Sequence, residues 1–541
     1  MSSAPAMGPY DWIIVGAGSA GCVLANRLSE DASKRVLLVE AGGEDRSIWM
    51  KIPLGVGKAL NDPRFIWDAE TEPEPEMHGN RVHWPSGRVL GGSSSVNGMV
   101  FVRGHPAMYD AWRDAGCPGW GFSDLAPHFS RVEDFPEGDG RWRGTGGPIG
   151  ASRVSPHPLS DGFVAACGEA GIAKTDDYND ERSEGASRLQ LSVRGGLRSS
   201  ASRGYLHPVR RRPNLDVVTG AIVTRVDFEG RRASGVSWIR GDESGGAAAR
   251  GEVILSAGAV RSPQLLELSG IGDPKVLATI GVPVVHAQPS VGENLQDHLM
   301  GRLAFECNVP MTVNDMLLHK WRLVLAFAGY LATREGIFAT ASLTATAFAR
   351  THAAAPVPDA HLQIGLVSAT GRLSISRETG LDGHSGFHLG GYFLYPKSRG
   401  STHARSTDPS QQPAIRANYL SHEDDRAAAV RVLRKLRDIA AQPSLKRYVV
   451  REVRPGDAAS TDEALLDHFR RTGQTCWHPV GTCRMGSDDA AVVAPDLKVR
   501  GVDGLRVVDA SVMPFLVASN TNVPVMTLAE RASEILRKTR P

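Results

Sequence analysis

The sequence predicts an α/β protein of two domains, one built on a βαβ unit and one on a mostly antiparallel sheet (α+β). A strand, a glycine-rich turn, a helix and a second strand follow one another at the start of the chain. From about residue 304 to 457 the pattern changes to strand-like alternation followed by an amphipathic helix. At 541 residues the chain also exceeds one ordinary core, so two or more domains are expected.

The first element is the βαβ unit. Residues 12–15 are a short apolar run typical of a buried strand, and the turn "GAGSAG" (16–21) follows. Gly16 allows a tight turn, Gly18 lets the backbone approach a pyrophosphate, and Gly21 allows close packing of the helix on the sheet. Glu40 ends the second strand and is placed to bind ribose hydroxyls. We interpret the unit as a Rossmann-like dinucleotide site, with an ordinary strand–turn–helix as the alternative.

The second element is the loop "GRVLGGSSSVNGMVFVRG" (87–104). Adjacent glycines and three serines make it rich in backbone amides, which suits a phosphate or the edge of a flat ring. Alone it could be a linker. The apolar residues 100–102 that follow indicate that it is tied into the fold.

The remaining elements return to the first domain late in the chain. In "GEVILSAGAVRSPQLLELSGIG" (251–272), residues 253–256 predict a strand, and Ser262 with Pro263 predicts a helix start. Residues 213–218 and 505–510 predict further strands, and "TNVPVMTLAERASEILRK" predicts a closing helix. The predicted division is 6–155, 200–303 and 458–541 for the first domain, and 156–199 and 304–457 for the second.

Composition restricts partners and location. With 61 basic and 59 acidic residues the net charge is +2, which does not favour nucleic acid. The N-terminus lacks the pattern of a secretory signal, and six cysteines fit reduced thiols in a cytoplasmic protein. The apolar run 323–332 has ten residues and is too short for a transmembrane span. A buried core helix is the favoured interpretation. The alternative, suggested by "HKWR" just before it, is an interfacial helix and peripheral contact with the inner membrane.

The stretch "CWHPVGTC" (476–483) places a histidine between two cysteines. Cys476, His478 and Cys483 offer at most three metal ligands, without the usual second pair nearby. A redox CxxC spacing is also absent. We therefore predict no metal site.

Together the motifs resemble those of the glucose–methanol–choline (GMC) flavin oxidoreductases over essentially the full chain. The resemblance is carried by "GAGSAG", "GRVLGGSSSVNGMVFVRGHPAMYD", "GAVRSPQLLELSGIG", "LYPKSRG", "HPVGTCRMG", "VVDASVMP" and "NTNVP". It is strongest to the choline-dehydrogenase-like bacterial branch, which includes aliphatic alcohol dehydrogenases. The resemblance implies a Rossmann-like FAD-binding domain and a substrate-binding domain. It also implies oxidation of a primary alcohol to an aldehyde, with hydride transfer to flavin N5 and electrons then passed to a quinone-type acceptor.

Several alternatives stay open. Within the family these are an oxygen-using oxidase that produces hydrogen peroxide and a non-redox lyase. Outside it they are a flavin-bound structural or binding protein and a nicotinamide dehydrogenase. The sequence does not name the alcohol, which could be aliphatic, aromatic or choline-like.

The resemblance also assigns site residues. The implied catalytic residues are His478 and Asn520. His478 is the general base, since imidazole with an ordinary pKa of about 6.5 is a suitable base near neutral pH. Asn520 is a hydrogen-bond partner for the substrate oxygen. Cys476 and Trp477 become pocket wall, and Val96, at the family's histidyl-linkage position, implies non-covalent FAD. A purely structural His478 is the alternative. The implied cofactor-binding residues are Gly16, Gly18, Ser19, Ala20, Gly21, Glu40, Ala41, Val89, Gly91, Ser95, Asn97, Gly98, Met99, Val100, Val223, Asp509, Ala510, Asn522, Val523 and Pro524.

Overall fold

The computed structural model describes residues 7–138, 140, 142–371 and 378–538. Numbered along the chain, the strands of its two large sheets are β1 (Met7–Val15), β2 (Val36–Glu40), β3 (Gly185–Arg188), β4 (Leu215–Thr219), β5 (Ile222–Glu229), β6 (Arg232–Arg240), β7 (Glu243–Leu255), β8 (Leu299–Cys307), β9 (Leu343–Ala349), β10 (Ala360–Gly365), β11 (Gly386–Phe393), β12 (Val449–Arg454), β13 (Gln474–Thr475) and β14 (Leu505–Val507). The helices are α1 (Ser19–Leu28), α2 (Ile48–Lys51), α3 (Val56–Ala59), α4 (Pro106–Asp114), α5 (Phe122–Val132), α6 (Pro158–Glu169), α7 (Gly258–Leu268), α8 (Pro274–Ile280), α9 (Val313–Leu318), α10 (Lys320–Thr333), α11 (Glu423–Ala441), α12 (Pro443–Lys446), α13 (Asp462–Thr472) and α14 (Asn522–Lys538).

The first sheet has a parallel core in the order β4-β2-β1-β7-β14, and two further strands extend it beside β7: β6 pairs antiparallel with β7, and β5 pairs antiparallel with β6. In the register of this core, Ile14 pairs with Leu38 on one side and Ile254 on the other. From Tyr10 onward β1 is buried, as is all of β2. Helices cover both faces of such a sheet, so its strands are apolar throughout rather than alternating. The predicted βαβ unit is confirmed.

The turn between β1 and α1 depends on two glycines. Gly16 has a φ of +99°, and a Cβ there would lie 2.5 Å from the carbonyl oxygen of Ser256. A Cβ on Gly21 would lie 1.8 Å from the carbonyl oxygen of Gly16. Any side chain at these positions would push α1 away from the sheet, so the turn requires glycine.

The second sheet runs in the order β12-β8-β11-β10-β9-β3, and β13 also pairs with β8. Each of these pairings is antiparallel, as predicted. One face carries Leu303, Phe305, Leu362 and Leu389, which pack in one core cluster with residues of α11. Because successive side chains alternate between faces, the opposite face of these strands is turned to the interior between the two sheets.

One predicted helix boundary differs from the structure. The helix predicted to begin at Ser262 is α7, which begins four residues earlier, so Pro263 lies inside it. A proline in a helix leaves the carbonyl four residues back without its amide donor. Here that carbonyl belongs to Ala259, and the hydroxyl of Thr482 donates to it at 2.6 Å. Residue 304, where the second domain is predicted to resume, lies within β8, and the division into domains stays a prediction.

The buried core helix predicted over residues 323–332 is wrong. These residues lie in α10, where Trp321, Val324, Leu325 and Leu331 are 61%, 65%, 63% and 53% exposed. The opposite side of α10 packs in a small cluster with Ile52 and other residues. No helix in the described part of the chain is both long and apolar enough to cross a bilayer.

Candidate active site

A continuous cavity runs from the glycine turn of the first domain to the inner face of the second sheet. It brings together residues that lie hundreds of positions apart in the sequence. Of the predicted site residues, those lining it are Gly16, Gly18, Ser19, Ala20, Glu40, Ala41, Asn97, Gly98, Met99, Val100, Val223, Cys476, Trp477, His478, Asp509, Ala510, Asn520 and Asn522.

At one end of this cavity two helix N-termini meet. Ser19 begins α1, Asn522 begins α14, and the Ser19 hydroxyl donates to the Asn522 side-chain oxygen at 2.7 Å. Helix N-termini carry partial positive charge and unpaired amides, which suits a phosphate group. A Cβ on Gly18 would meet only the Ser256 carbonyl oxygen, at 3.9 Å, and one on Gly98 would meet nothing within 4 Å. The backbone is therefore open to a ligand where a dinucleotide would lie, and these residues fit FAD.

Two buried carboxylates brace the loops of this end. Glu40 accepts the amides of Ala17 and Gly42, each at 2.8 Å, and burial raises its pKa to about 7. Asp509 accepts the amide of Gly258 at 2.9 Å, and burial raises its pKa as well. Each carboxylate oxygen has more than one acceptor site, so bracing a loop leaves capacity for a ligand hydroxyl.

Six predicted cofactor residues do not line the cavity. They are Gly21, Val89, Gly91, Ser95, Val523 and Pro524. Gly91, with a φ of +86°, donates its amide to the carbonyl of Ala17 at 2.7 Å and so ties the 87–104 loop to the glycine turn. All six residues are buried in the protein and are not exposed to the cavity.

His478 is held from three sides at the other end. Its backbone amide donates to Asp297 at 2.7 Å, its Nδ1 lies 3.0 Å from Nδ1 of His298, and its Nε2 lies 3.0 Å from Nδ2 of Asn520. The side chain is almost fully buried, with the residue 5% exposed. The preceding Trp477 has a φ of +60°, an unfavourable backbone conformation for a bulky residue. Such strain clusters at functional sites, where surrounding contacts maintain it.

The hydrogen bonds around His298 determine which nitrogen of His478 carries the proton. Nε2 of His298 lies 3.0 Å from the carbonyl oxygen of Leu394, which only accepts, so this nitrogen carries the hydrogen. Burial lowers the pKa of His298 to about 4, so the ring is neutral and its Nδ1 accepts. His478 therefore donates from Nδ1, and its Nε2 presents a lone pair toward Asn520 and the cavity.

A second chain of contacts orients Asn520. The hydroxyl of Tyr392 donates to the Asn520 side-chain oxygen at 3.4 Å, which turns the amide nitrogen toward His478. Nδ1 of His361 lies 2.5 Å from the Tyr392 hydroxyl, and burial lowers the pKa of His361 to about 3. Sequence reasoning missed His298, His361 and Tyr392. The available signal was a histidine or tyrosine within or next to an otherwise apolar strand.

The structure also shows where the two cysteines that flank His478 in the sequence lie. Cys476 lines the cavity and donates its amide to the carbonyl of His298 at 2.8 Å, while Cys483 is fully buried. Among the described residues, no group of histidine, cysteine and carboxylate side chains is arranged to hold a metal ion.

Comparison with known proteins identifies related sequences. Family models for the N- and C-terminal parts of GMC oxidoreductases match residues 10–300 and 396–529. An oxygen-dependent choline dehydrogenase of Photobacterium profundum is 40% identical over 537 residues, covering 97% of this chain and 93% of that protein. An alcohol dehydrogenase [acceptor] of Pseudomonas putida is 40% identical over 534 residues, covering 97% and 95%.

Solved structures agree with these sequence matches. Pyridoxine 4-oxidase from Mesorbium loti superimposes with a TM-score of 0.87 at 32% identity, over 97% of this chain and 98% of that one. A formate oxidase superimposes with a TM-score of 0.91 at 25% identity, over 99% of each chain.

Proposed function

Because the chain belongs to the GMC oxidoreductase family and is an FAD-dependent oxidoreductase acting on CH–OH donors, we propose that it oxidises a primary alcohol to the aldehyde with His478 as general base. The observation that carries this proposal is the imidazole lone pair. His478 Nε2 faces the cavity 3.0 Å from the Asn520 amide nitrogen, and the other ring nitrogen of His478 donates to His298. A neutral, oriented imidazole is the group that alcohol deprotonation needs.

Each residue of the site then has a role. When bound, FAD supplies the two-electron acceptor at flavin N5. The residues that would hold it are the glycine turn, Glu40, the 97–100 segment, Val223, Asp509, Ala510 and Asn522. His478 Nε2 takes the hydroxyl proton of the alcohol. The amide of Asn520 donates to the alcohol oxygen and stabilises the negative charge that develops there.

We also propose that FAD is held without a covalent bond. Val96 is 1% exposed and lines the cavity, and its side chain has no atom that could form a linkage to the flavin. Retention of the cofactor would then depend on the hydrogen-bonding and packing contacts of the loops described above.

The proposed electron acceptor is a quinone-type molecule, with contact between α10 and a membrane surface. The exposed apolar residues of α10 favour this, because Trp321, Val324 and Leu325 form one apolar surface. Two basic residues, Lys320 and Arg322, lie in the first turn of the helix, and His319 directly precedes it. Oxygen is the alternative: the name of one relative says that it is oxygen-dependent, and the name of the other says only that it uses an acceptor. Reoxidation of the alcohol-reduced enzyme by oxygen and by a soluble quinone separates them, since rapid stoichiometric hydrogen peroxide formation in air would contradict the quinone.

The experiment that tests the function is anaerobic mixing of the purified yellow protein with primary alcohols. We expect bleaching of the flavin absorbance by wild type, and loss of bleaching in His478→Ala with FAD retained. His352→Ala, an exposed histidine outside the cavity, is the matched control. Absence of bleaching by any alcohol would favour the non-redox lyase, and normal bleaching in His478→Ala would remove the base assignment.

A further inference from the structure

Arg198 is an arginine buried behind the loop of residues 87–104. It ends a short hairpin in which Val193–Arg194 pairs with Leu197–Arg198, and it is 1% exposed. Asn97 and Gly98 of the loop line the cavity, whereas Arg198 does not. Arginine is seldom fully buried unless it is paired with an acid, so its place here needs a physical reason.

The guanidinium of Arg198 is bound by neutral acceptors. Its Nη1 donates to the carbonyl oxygens of Ser94 and Asn97 at 3.2 and 2.7 Å, and to the Asn97 side-chain oxygen at 2.9 Å. Its Nε donates to the carbonyl oxygen of Met50 at 3.0 Å. Among the described residues, Nη2 has no hydrogen-bond partner and no carboxylate pairs with the guanidinium. The positive charge therefore lies one loop thickness behind the cavity wall, without a counter-charge from the described chain.

A buried charge in this state is unfavourable. Burial, the one cause acting from the described part of the protein, lowers the pKa of Arg198 to about 9, so the group is still charged at neutral pH. Buried charges in proteins are normally paired, because removing an ion from water costs more than neutral acceptors return. A bound group that gains negative charge on the other side of the loop would supply the missing partner.

Hydride transfer creates such a charge. A hydride carries two electrons and one hydrogen nucleus, so a neutral flavin ring that receives it at N5 gains one negative charge. The hydroxyl proton of the alcohol goes to His478 in the same reaction, and atoms and charge balance. A fixed positive charge behind the 94–97 backbone favours the ring with the added charge, because electrostatic interactions are strong where water is excluded.

The same contacts determine the direction of an amide in the loop. In a planar trans peptide the N–H points opposite to the C=O. Because the carbonyl of Asn97 is turned to Arg198, the N–H of Gly98 points away from Arg198. Gly98 lines the cavity, and a Cβ there would meet nothing within 4 Å, so a flat ring can approach this amide. The amide of Met99 donates at 3.0 Å to the same Asn97 side-chain oxygen that Arg198 binds.

Resting on the proposed function, in which hydride passes to flavin N5, we propose that Arg198 is a positioning residue for the flavin loop and the positive charge that stabilises the reduced cofactor. It touches neither substrate nor the reacting atoms. It acts through the backbone of residues 94–98 and through its charge, and it makes the bound flavin easier to reduce.

The test separates the charge of Arg198 from its hydrogen bonds. Arg198→Lys keeps the charge with fewer donors, and Arg198→Gln keeps donors without the charge. Sulfite adds to flavin N5 and leaves negative charge on the ring, so it is titrated into the yellow protein and followed by the loss of flavin absorbance. We expect Arg198→Gln to weaken sulfite binding by roughly tenfold or more and Arg198→Lys to weaken it by less than about threefold. The two-electron midpoint potential, measured with a chemical reductant, should fall by about 30 mV for each factor of ten in the reduction equilibrium.

Controls and a second neutral variant make the outcome decisive. Arg212→Gln is the matched control, because Arg212 donates to the Asn26 carbonyl and the Ser29 hydroxyl and does not line the cavity. Arg198→Met, with a neutral stem, repeats the measurement if Arg198→Gln does not retain FAD. Wild-type sulfite affinity and potential in the neutral variants, or a tenfold loss of sulfite affinity in Arg198→Lys, would overturn the proposal. If no alcohol reduces the flavin, the proposed function fails, whereas sulfite and the chemical reductant need no alcohol and still test Arg198.

Discussion

Replacing His298 by phenylalanine removes the acceptor on which the proton position of His478 depends. In wild type the Nδ1–H of His478 has a partner 3.0 Å away in a fully buried setting. Phenylalanine keeps a flat ring of similar size and offers no acceptor. The Nδ1–H is then left without its partner, or the ring changes to the tautomer whose Nε2 carries the proton. That tautomer cannot act as base toward the cavity.

The size of the effect follows from the contact that is lost. A buried donor deprived of its partner costs about 1–3 kcal/mol. If this cost falls on the productive tautomer, flavin reduction slows by roughly 5- to 150-fold, because each 1.36 kcal/mol is a factor of ten in rate. His298→Asn should recover part of the loss, since the asparagine side-chain oxygen is an acceptor on a stem of similar length. Substrate affinity should change less than the rate.

The assay is stopped-flow flavin reduction under anaerobic conditions, which yields the limiting rate and the apparent substrate dissociation constant separately. FAD content and the melting temperature serve as checks on folding. His128→Phe, a buried histidine on α5 away from the cavity, controls for burying one more aromatic ring. A His298→Phe enzyme that retains FAD and reduces it within threefold of the wild-type rate would refute the tautomer argument.

Four further predictions concern single residues. His478→Ala should lose about 10²- to 10⁴-fold in flavin-reduction rate with FAD retained, as measured by the same stopped-flow assay. Asn520→Ala should raise the activation free energy of flavin reduction by about 2–4 kcal/mol. Asn522→Ala should mainly reduce FAD affinity, because the Asn522 side chain accepts from Ser19 at the cofactor end of the cavity. The reverse result would exchange the roles of the two asparagines. Acid precipitation should release the yellow colour into the supernatant, because Val96 cannot form a covalent link; a yellow pellet would contradict this. Finally, burial opposes the protonation of His403, but two neighbouring glutamates outweigh it and raise the pKa of His403 to about 9. Protonated His403 therefore stabilises the folded state fully below pH 6.5, and this stabilisation is lost as the pH rises through 9. Melting temperatures at pH 6 and 9 should show this loss in wild type and a smaller one in His403→Gln.

Local sequence patterns determined the elements that build the cofactor end. The βαβ unit, the closing helix α14 and the amphipathic helix α11 lie where periodicity and glycine spacing placed them. Each depends on neighbours within a few residues, such as Gly16 for the turn and the apolar spacing along α1. The motif containing His478 could likewise be located, because its residues are contiguous in the chain.

The predictions from sequence were wrong where contacts with residues distant in the chain outweigh the local conformational preference. Pro263 predicts a helix start, but it lies inside α7. The helix accommodates it because the hydroxyl of Thr482, more than two hundred positions away, donates to the carbonyl of Ala259, which has lost its amide donor. The apolar run of α10 predicts a buried helix. Sequence alone does not reveal whether another element covers each side, and here one side is left exposed.

Only the tertiary structure decided the chemistry around His478. Its orientation depends on His298 and Asn520, and that of Asn520 depends on Tyr392, groups that lie 42 to 180 residues apart along the chain. The contact between Tyr392 and His361 depends on the register of β11 against β10, and a shift of one residue would turn one of the two side chains to the other face. Sequence therefore determined which chemical groups are available. The pairing of distant strands determined which of them meet, because hydrogen-bond geometry and burial act between neighbours in space.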